Sequence, residues 1–185
     1  MNNYFNRMFW GLVLIFFDIN LGKIDIMPNI IGAIMVATSI DNLSDKEESF
    51  KKGRPFAWLV VGNTALATIL KFININIQNS NIEFLWSVGF SLFSMIISLI
   101  NMFFICNGIA NMGKSSGFSD IISDAQSRWY FLFINTCLIS VLRAFTINFK
   151  NNLNSILFIF LITGMVANIL ILVLVRRAAK LFIDN

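Results

Sequence analysis

Six long apolar stretches alternate with short polar joints along this chain. The stretches contain almost no charge, and the joints between them hold nearly all of the acidic and basic residues. A helix needs about 20 apolar residues to cross the hydrocarbon core of a bilayer. The pattern therefore predicts an all-α, polytopic membrane helix bundle of about six segments. The predicted segments are residues 8–20, 28–40, 56–74, 84–105, 129–145 and 156–175.

Composition indicates the same environment. Hydrophobic residues make up 57% of the 185 residues and charged residues only 13%, whereas soluble domains have about 45–50% apolar and about 25% charged residues. Six crossings would use most of the chain and leave only short connections. We therefore expect one integral membrane domain over residues 1–185.

Lysine and arginine are concentrated in alternate joints. With both termini in the cytoplasm, ten basic residues lie inside and three outside, leaving aside Arg143 within the fifth stretch. This asymmetry follows the positive-inside bias of membrane proteins. The net charge of +4 is then a topology signal and not a nucleic-acid surface, because the basic residues do not gather on one face with interleaved aromatics.

The first two stretches are short for full crossings at 1.5 Å per residue. They could form a re-entrant hairpin, or the first helix could extend back to Tyr4 and both could cross with some tilt. Either arrangement begins and ends the pair on the same side of the membrane. The orientation of the other four segments is therefore the same in both.

Two joints are predicted to be cytoplasmic loops that could dock another membrane or ATPase subunit. Residues 41–55 are the most charged part of the chain and end in a Gly-Arg-Pro sequence, which favours a helix break. Residues 107–128 are rich in glycine and serine. Within them, residues 118–129 could form a short surface helix with Ile121, Ile122 and Ala125 toward the membrane.

A polar stripe follows the fourth stretch. Ser87, Ser91, Ser94, Ser98 and Asn101 recur at spacings of four, three, four and three, which places them on one face of a helix. Small residues of this kind commonly let neighbouring membrane helices approach closely. The alternative is that the stripe forms the wall of a solute pathway.

Arg143 is a charge within an apolar stretch, and such charges are candidates for function. Its guanidinium could reach the headgroups, bind an anion or carboxylate, or pair with Asp18, Asp25 or Glu83, which lie on the same outer side in this topology. Asp18 and Asp25 could bind a cation, although the loop lacks the acidic density of a calcium site. A polar cap in which Lys23 pairs with one of these acids is the better interpretation.

The residues for common catalytic chemistry are missing. The chain has no histidine, which removes the most frequent general base and metal ligand. It also lacks a Walker lysine loop and the HExxH and GxSxG motifs. Cys106 and Cys137 have no CxxC spacing and are expected to be free thiols. We therefore expect no enzymatic activity, no cofactor and no metal.

The N-terminal quarter of the chain has a recognisable pattern of glycine, acidic and proline positions. They are Gly11, Asp18, Asn20 and Gly22, then Asp25-Ile26-Met27-Pro28 and Ile31-Gly32. With these residues the segment resembles the opening of small multi-span membrane proteins of low-GC Gram-positive bacteria. That resemblance implies a multi-pass protein of the bacterial cytoplasmic membrane and brings no activity with it.

Two functions fit these features. The first is a solute-binding or transport component with an outward-facing polar cavity. The second is an accessory or interaction subunit of a membrane complex, whose polar residues only hold its helices together. The ligand-binding residues expected for the first are Arg143, Asp18, Asp25, Ser91, Ser94, Ser98 and Asn101.

Overall fold

The computed structural model of the protein describes residues 2–16, 27–73, 80–146 and 154–182. Side chains are described over 3–16, 29–70, 88–142 and 158–182. Within these ranges the chain forms six α-helices and no strand, so the predicted all-α class is confirmed. The helices are α1 (Asn2–Phe16), α2 (Met27–Leu43), α3 (Glu48–Ile73), α4 (Ser80–Ser115), α5 (Ser119–Thr146) and α6 (Asn154–Leu181).

The helices form a closed ring. Each packs against the next in sequence, and α1 also packs against α6. At one end, three buried aromatic rings meet across the ring: the centroid of Phe5 lies 6.3 Å from that of Phe50 and 5.8 Å from that of Phe182. Gly108 of α4 provides the space for Phe50, because a β-carbon there would lie 2.6 Å from the phenylalanine ring. We call this the closed end.

The closed end also carries the basic residues that the sequence assigns to the cytoplasm. They lie near the N-termini of α1 and α3, near the C-termini of α4 and α6, and in the turn between α2 and α3. Arg128 lies further along α5, where its side chain contacts the Leu170 carbonyl of α6. Folding therefore gathers at one end charges that are scattered along the chain. These residues are Arg7, Lys46, Lys51, Lys52, Arg54, Lys114, Arg128, Arg176, Arg177 and Lys180.

The first two helices contact each other through glycine. A β-carbon on Gly11 would lie 2.7 Å from the carbonyl oxygen of Gly32, and one on Gly32 would lie 2.6 Å from that of Gly11. The absence of side chains thus allows the two backbones to touch. Helix α1 begins at Asn2, upstream of the predicted segment, and the connection at 17–26 lies outside the described residues.

The predicted loops at 41–55 and 107–128 are mostly helical, so both predictions are wrong in extent. The first joint is a turn at 44–47, and Pro55 lies inside α3. Proline fixes φ near a helical value and removes only one helical hydrogen bond, and α3 continues through it. Two of the glycines in these predicted loops serve packing instead. Gly53 lies against Phe104, and Gly113 lies against Ile121.

The second joint is a tight turn, and no separate surface helix follows it. Gly117 adopts a left-handed φ of +76°. The Phe118 N–H donates to the Gly113 carbonyl at 2.9 Å, and the Gly117 N–H donates to that of Lys114 at 3.4 Å. This is a Schellman motif. Helix α5 then runs unbroken to Thr146, and its Ile121 and Ala125 are fully buried in the bundle and do not face a membrane.

Two helical segments within the described residues are long and apolar enough to cross a membrane. They are Val88–Ser115 of α4 and Phe158–Leu181 of α6, and the apolar part of α2, Asn29–Leu43, is shorter. This finding gives weak support to a membrane location.

Candidate functional site: the inner face of α4

One face of α4 points into the ring along its whole described length. It comprises Ser91, Ser94, Ser98 and Asn101, and it continues at the same helical spacing through Ile105, Gly108 and Met112. Gly108 fixes the direction of this face, because the Phe50 ring from α3 lies where a side chain on Gly108 would be. We call this set the inner face of α4.

Polarity and burial change together along the inner face. From Ile105 toward the closed end the face is apolar and buried, whereas Ser98 and Ser91 are exposed although they point in the same direction. The buried part of the inner face therefore ends at Asn101. Beyond this residue the face carries the exposed hydroxyl groups of Ser98 and Ser91.

Burial ends at a comparable depth in all four long helices. Going from the closed end toward the opposite end, each helix reaches a last buried residue, and none of its described side chains after that residue is buried. These last residues are Ala57 in α3, Ile97 in α4, Asn135 in α5 and Ala167 in α6. We call this opposite part of the bundle the open half.

Asn101 lies at the transition between the two halves and has unused hydrogen-bonding capacity. Its side chain is 3% exposed, and its Oδ1 is buried without a hydrogen-bond partner. Leaving such a group unpaired costs about 1–3 kcal/mol, and unpaired buried groups are uncommon in folded proteins. Asn101 Oδ1 is thus an unused hydrogen-bond acceptor at the boundary between the two halves.

The other polar residues at this depth hold helices together. Asn63 of α3 donates through Nδ2 to Ser94 Oγ at 2.8 Å. Asn135 of α5 accepts a hydrogen bond from the Thr163 hydroxyl of α6 and donates to the Phe160 carbonyl at 3.5 Å. Ser94 is therefore engaged at the α3–α4 interface, and only Ser91, Ser98 and Asn101 of the stripe are unpaired among the described residues.

The charged members of the predicted site lie outside what the structure describes. Asp18 and Asp25 fall in residues 17–26, and the side chains of Arg143, Glu83 and Ser87 are not described. The backbone of Arg143 belongs to α5.

A polar cluster at the closed end was not foreseen from the sequence. The Asn111 Nδ2 group lies 2.9 Å from Ser49 Oγ and 3.1 Å from Glu47 Oε1, and Asn107 Nδ2 donates to Ser49 Oγ at 3.0 Å. These contacts fasten the start of α3 to α4. The four-residue spacing of the two asparagines is the signal that could have indicated a shared face.

A second cluster fastens α5 to α6. Arg128 donates to the Leu170 carbonyl at 2.8 Å and to Asp124 Oδ2 at 3.2 Å. Arg177 of α6 pairs with the same carboxylate oxygen of Asp124. Both arginines therefore contribute to closing the ring and are not positioned to act on a solute in the open half.

Nothing in the described part of the chain suggests a metal or redox centre. No three His, Cys, Asp or Glu side chains come together there, and Cys106 and Cys137 are free thiols. No protein-family model, curated protein or solved structure matches this chain.

Proposed function

We propose that this protein is a non-enzymatic, six-segment integral membrane protein that binds or transports a small polar solute. The solute enters the open half of the ring and meets the inner face of α4, with Ser91 and Ser98 as wall residues and Asn101 at the base. The closed end faces the cytoplasm, as the positive-inside bias favours for the basic residues gathered there.

The observation that carries this proposal is the change at Asn101. The same helical face is apolar and buried on one side of this residue and hydroxyl-bearing and exposed on the other, and Asn101 Oδ1 has no partner. A face that only packed against other helices would be buried throughout. The Asn101 Oδ1 acceptor at the base of the open half favours solutes that carry an N–H or O–H donor.

Cysteine accessibility tests the proposal. In a background with Cys106→Ala and Cys137→Ser, Ser98→Cys should react with a membrane-impermeant thiosulfonate added from outside. The matched control is Ile96→Cys, because Ile96 is exposed on the outer side of the same helix and would face lipid, where a thiolate does not form. Equal reactivity of the two cysteines would contradict a solute-accessible interior and favour the accessory subunit without a ligand site.

Topology is tested by the same chemistry. Cysteines at Ser44 and Ser116, which lie in the two closed-end turns, should be labelled only from the cytoplasm. A cysteine at Asn79 should be labelled only from outside. Labelling of Asn79→Cys and Ser116→Cys from the same side would be inconsistent with six segments.

A further inference from the structure

An apolar groove of about 840 Å³ runs between α3 and α4. Its α3 wall includes Leu59, Gly62 and Leu66, which lie on the opposite side of the helix from the inward-facing Ala57 and Val61. The groove is therefore on the outside of the ring. It borders the inner face of α4 at Asn63, whose amide donates to Ser94 Oγ.

Two glycines create the groove. Gly62 and Gly89 line its two walls, and a β-carbon on either one would meet nothing within 4 Å. Glycine inside a helix costs about 1 kcal/mol relative to alanine, and here the space it leaves is not used by any described part of the chain. The surrounding Trp58, Leu59, Leu66 and Phe93 are exposed. The groove thus has the form of a binding site for an apolar group.

The groove is one leaflet long. From Pro55 to Leu66 the α3 axis rises about 16 Å, which matches half of a hydrocarbon core about 30 Å thick. Trp58 lies at the closed-end mouth, where its Nε1 donates to Asp41 Oδ2 at 3.0 Å, and tryptophan favours the membrane interface. A partner helix would cross both leaflets, whereas this groove fits a chain confined to one.

A free cation lies beside the mouth. Lys51 and Lys52 are one turn from Pro55, and Lys52 pairs with Glu48 at 2.9 Å, which lowers the pKa of that carboxyl. Arg54 pairs with Asp41 at 2.7 Å. Lys51 is exposed and has no ion pair with any described residue, although its charge also contributes to lowering the pKa of Glu48. Its ammonium group therefore has no ion-pair partner among the described residues at the level where a lipid phosphate would lie.

We propose that the α3–α4 groove binds an anionic phospholipid of the cytoplasmic leaflet, with an acyl chain against Gly62 and Gly89 and the phosphate beside Lys51. The proposal rests on the membrane placement given above, but not on solute binding. Basic positions at the cytoplasmic ends of membrane helices recognise anionic headgroups through such charge pairing.

The test is native mass spectrometry of purified protein that has been delipidated and given equal amounts of phosphatidylglycerol and phosphatidylcholine. Wild-type protein should retain phosphatidylglycerol about fivefold over phosphatidylcholine, the preference expected of one lysine. Lys51→Gln should abolish the preference, and Gly62→Leu, which fills open space, should abolish retention of both lipids. Lys180→Gln, another exposed closed-end lysine, is the matched control and should behave as wild type.

Equal retention of the two lipids by wild type, or an unchanged preference in Lys51→Gln, would overturn the proposal. Retention of lipid by Gly62→Leu would also overturn it. If Gly62→Leu instead converts a dimer to a monomer, the occupant is a second copy of the chain and not a lipid. Recovery of the protein in the soluble fraction without detergent would instead refute the membrane placement. This outcome distinguishes a failure of the membrane placement from a failure of the lipid proposal.

Discussion

The backbones of Gly11 and Gly32 touch where α1 crosses α2, with each carbonyl oxygen within 2.7 Å of the place a β-carbon on the other glycine would occupy. Real β-carbons do not approach a carbonyl oxygen so closely, and the obstructing atoms are backbone on both sides. The crossing therefore tolerates no side chain without separating the helices.

Gly11→Ala and Gly32→Ala should each lower the melting temperature of the protein in detergent. Overpacking of a tight contact costs about 1–3 kcal/mol. Gly89→Ala is the control, because its β-carbon meets nothing within 4 Å and alanine favours the helix by about 1 kcal/mol. A Gly11→Ala protein as stable as Gly89→Ala would show that the helices do not cross at these glycines.

Asp124→Asn should weaken the α5–α6 contact, because it removes the negative charge that Arg128 and Arg177 share. Hydrogen bonds to charged groups contribute about 1.5–3 kcal/mol, and partial exposure of this carboxylate places the expected loss at the lower end. Asp120→Asn is the matched control, since Asp120 is largely exposed and 4.0 Å from Arg177. Thermal unfolding should separate the two variants, and equal melting temperatures would contradict the role of Asp124.

Ser94→Leu should destabilise the α3–α4 interface. It removes the acceptor of the Asn63 amide, whose Oδ1 is already buried without a partner, and an unpaired buried group costs about 1–3 kcal/mol. Ile96→Leu is the control, because Ile96 is exposed. Met95 would be a poor control, since its sulfur accepts a hydrogen bond from Ser140 at 2.8 Å. Equal melting temperatures for Ser94→Leu and Ile96→Leu would refute the interface role.

We predict that Arg143 pairs with an acid on the outer side, Asp18. A charge at the centre of a membrane helix costs about 2.5–3.5 kcal/mol, so it needs compensation. Arg143→Ala alone should then be less stable than Arg143→Ala combined with Asp18→Asn, because the single variant leaves an unpaired carboxylate. Thermal stability with and without candidate anions is the measurement. Strictly additive effects would exclude the pair, and a normally stable Arg143→Ala that no longer binds an anion would indicate a ligand role.

Several glycines were predicted to lie in loops because glycine serves both in turns and in close helix packing, and the two uses give the same sequence pattern. Gly117 ends α4 with a positive φ, which a turn requires. Gly108 and Gly113 are helical and make room for Phe50 and Ile121. Only the positions of neighbouring helices distinguish the two uses, so the joint at 107–128 was expected to be a loop.

The sequence alone determined the order of the helices and the alternation of charge between the joints, because apolar runs and the spacing of Lys and Arg are local properties of the chain. It placed the helix ends wrongly at 41–55 and 107–128. It also placed the serines and Asn101 on one helical face, since that follows from 3.6 residues per turn. What that face meets was decided by tertiary structure. An apolar residue is equally acceptable in hydrocarbon and in a helix core, so the pattern could not show that this face of α4 points into the ring. It also could not show that the face is buried from Ile105 to the closed end, or that Asn101 Oδ1 lacks a hydrogen-bond partner. Those properties depend on Phe5, Phe50 and Phe182 meeting from three helices, a contact between residues far apart in the chain.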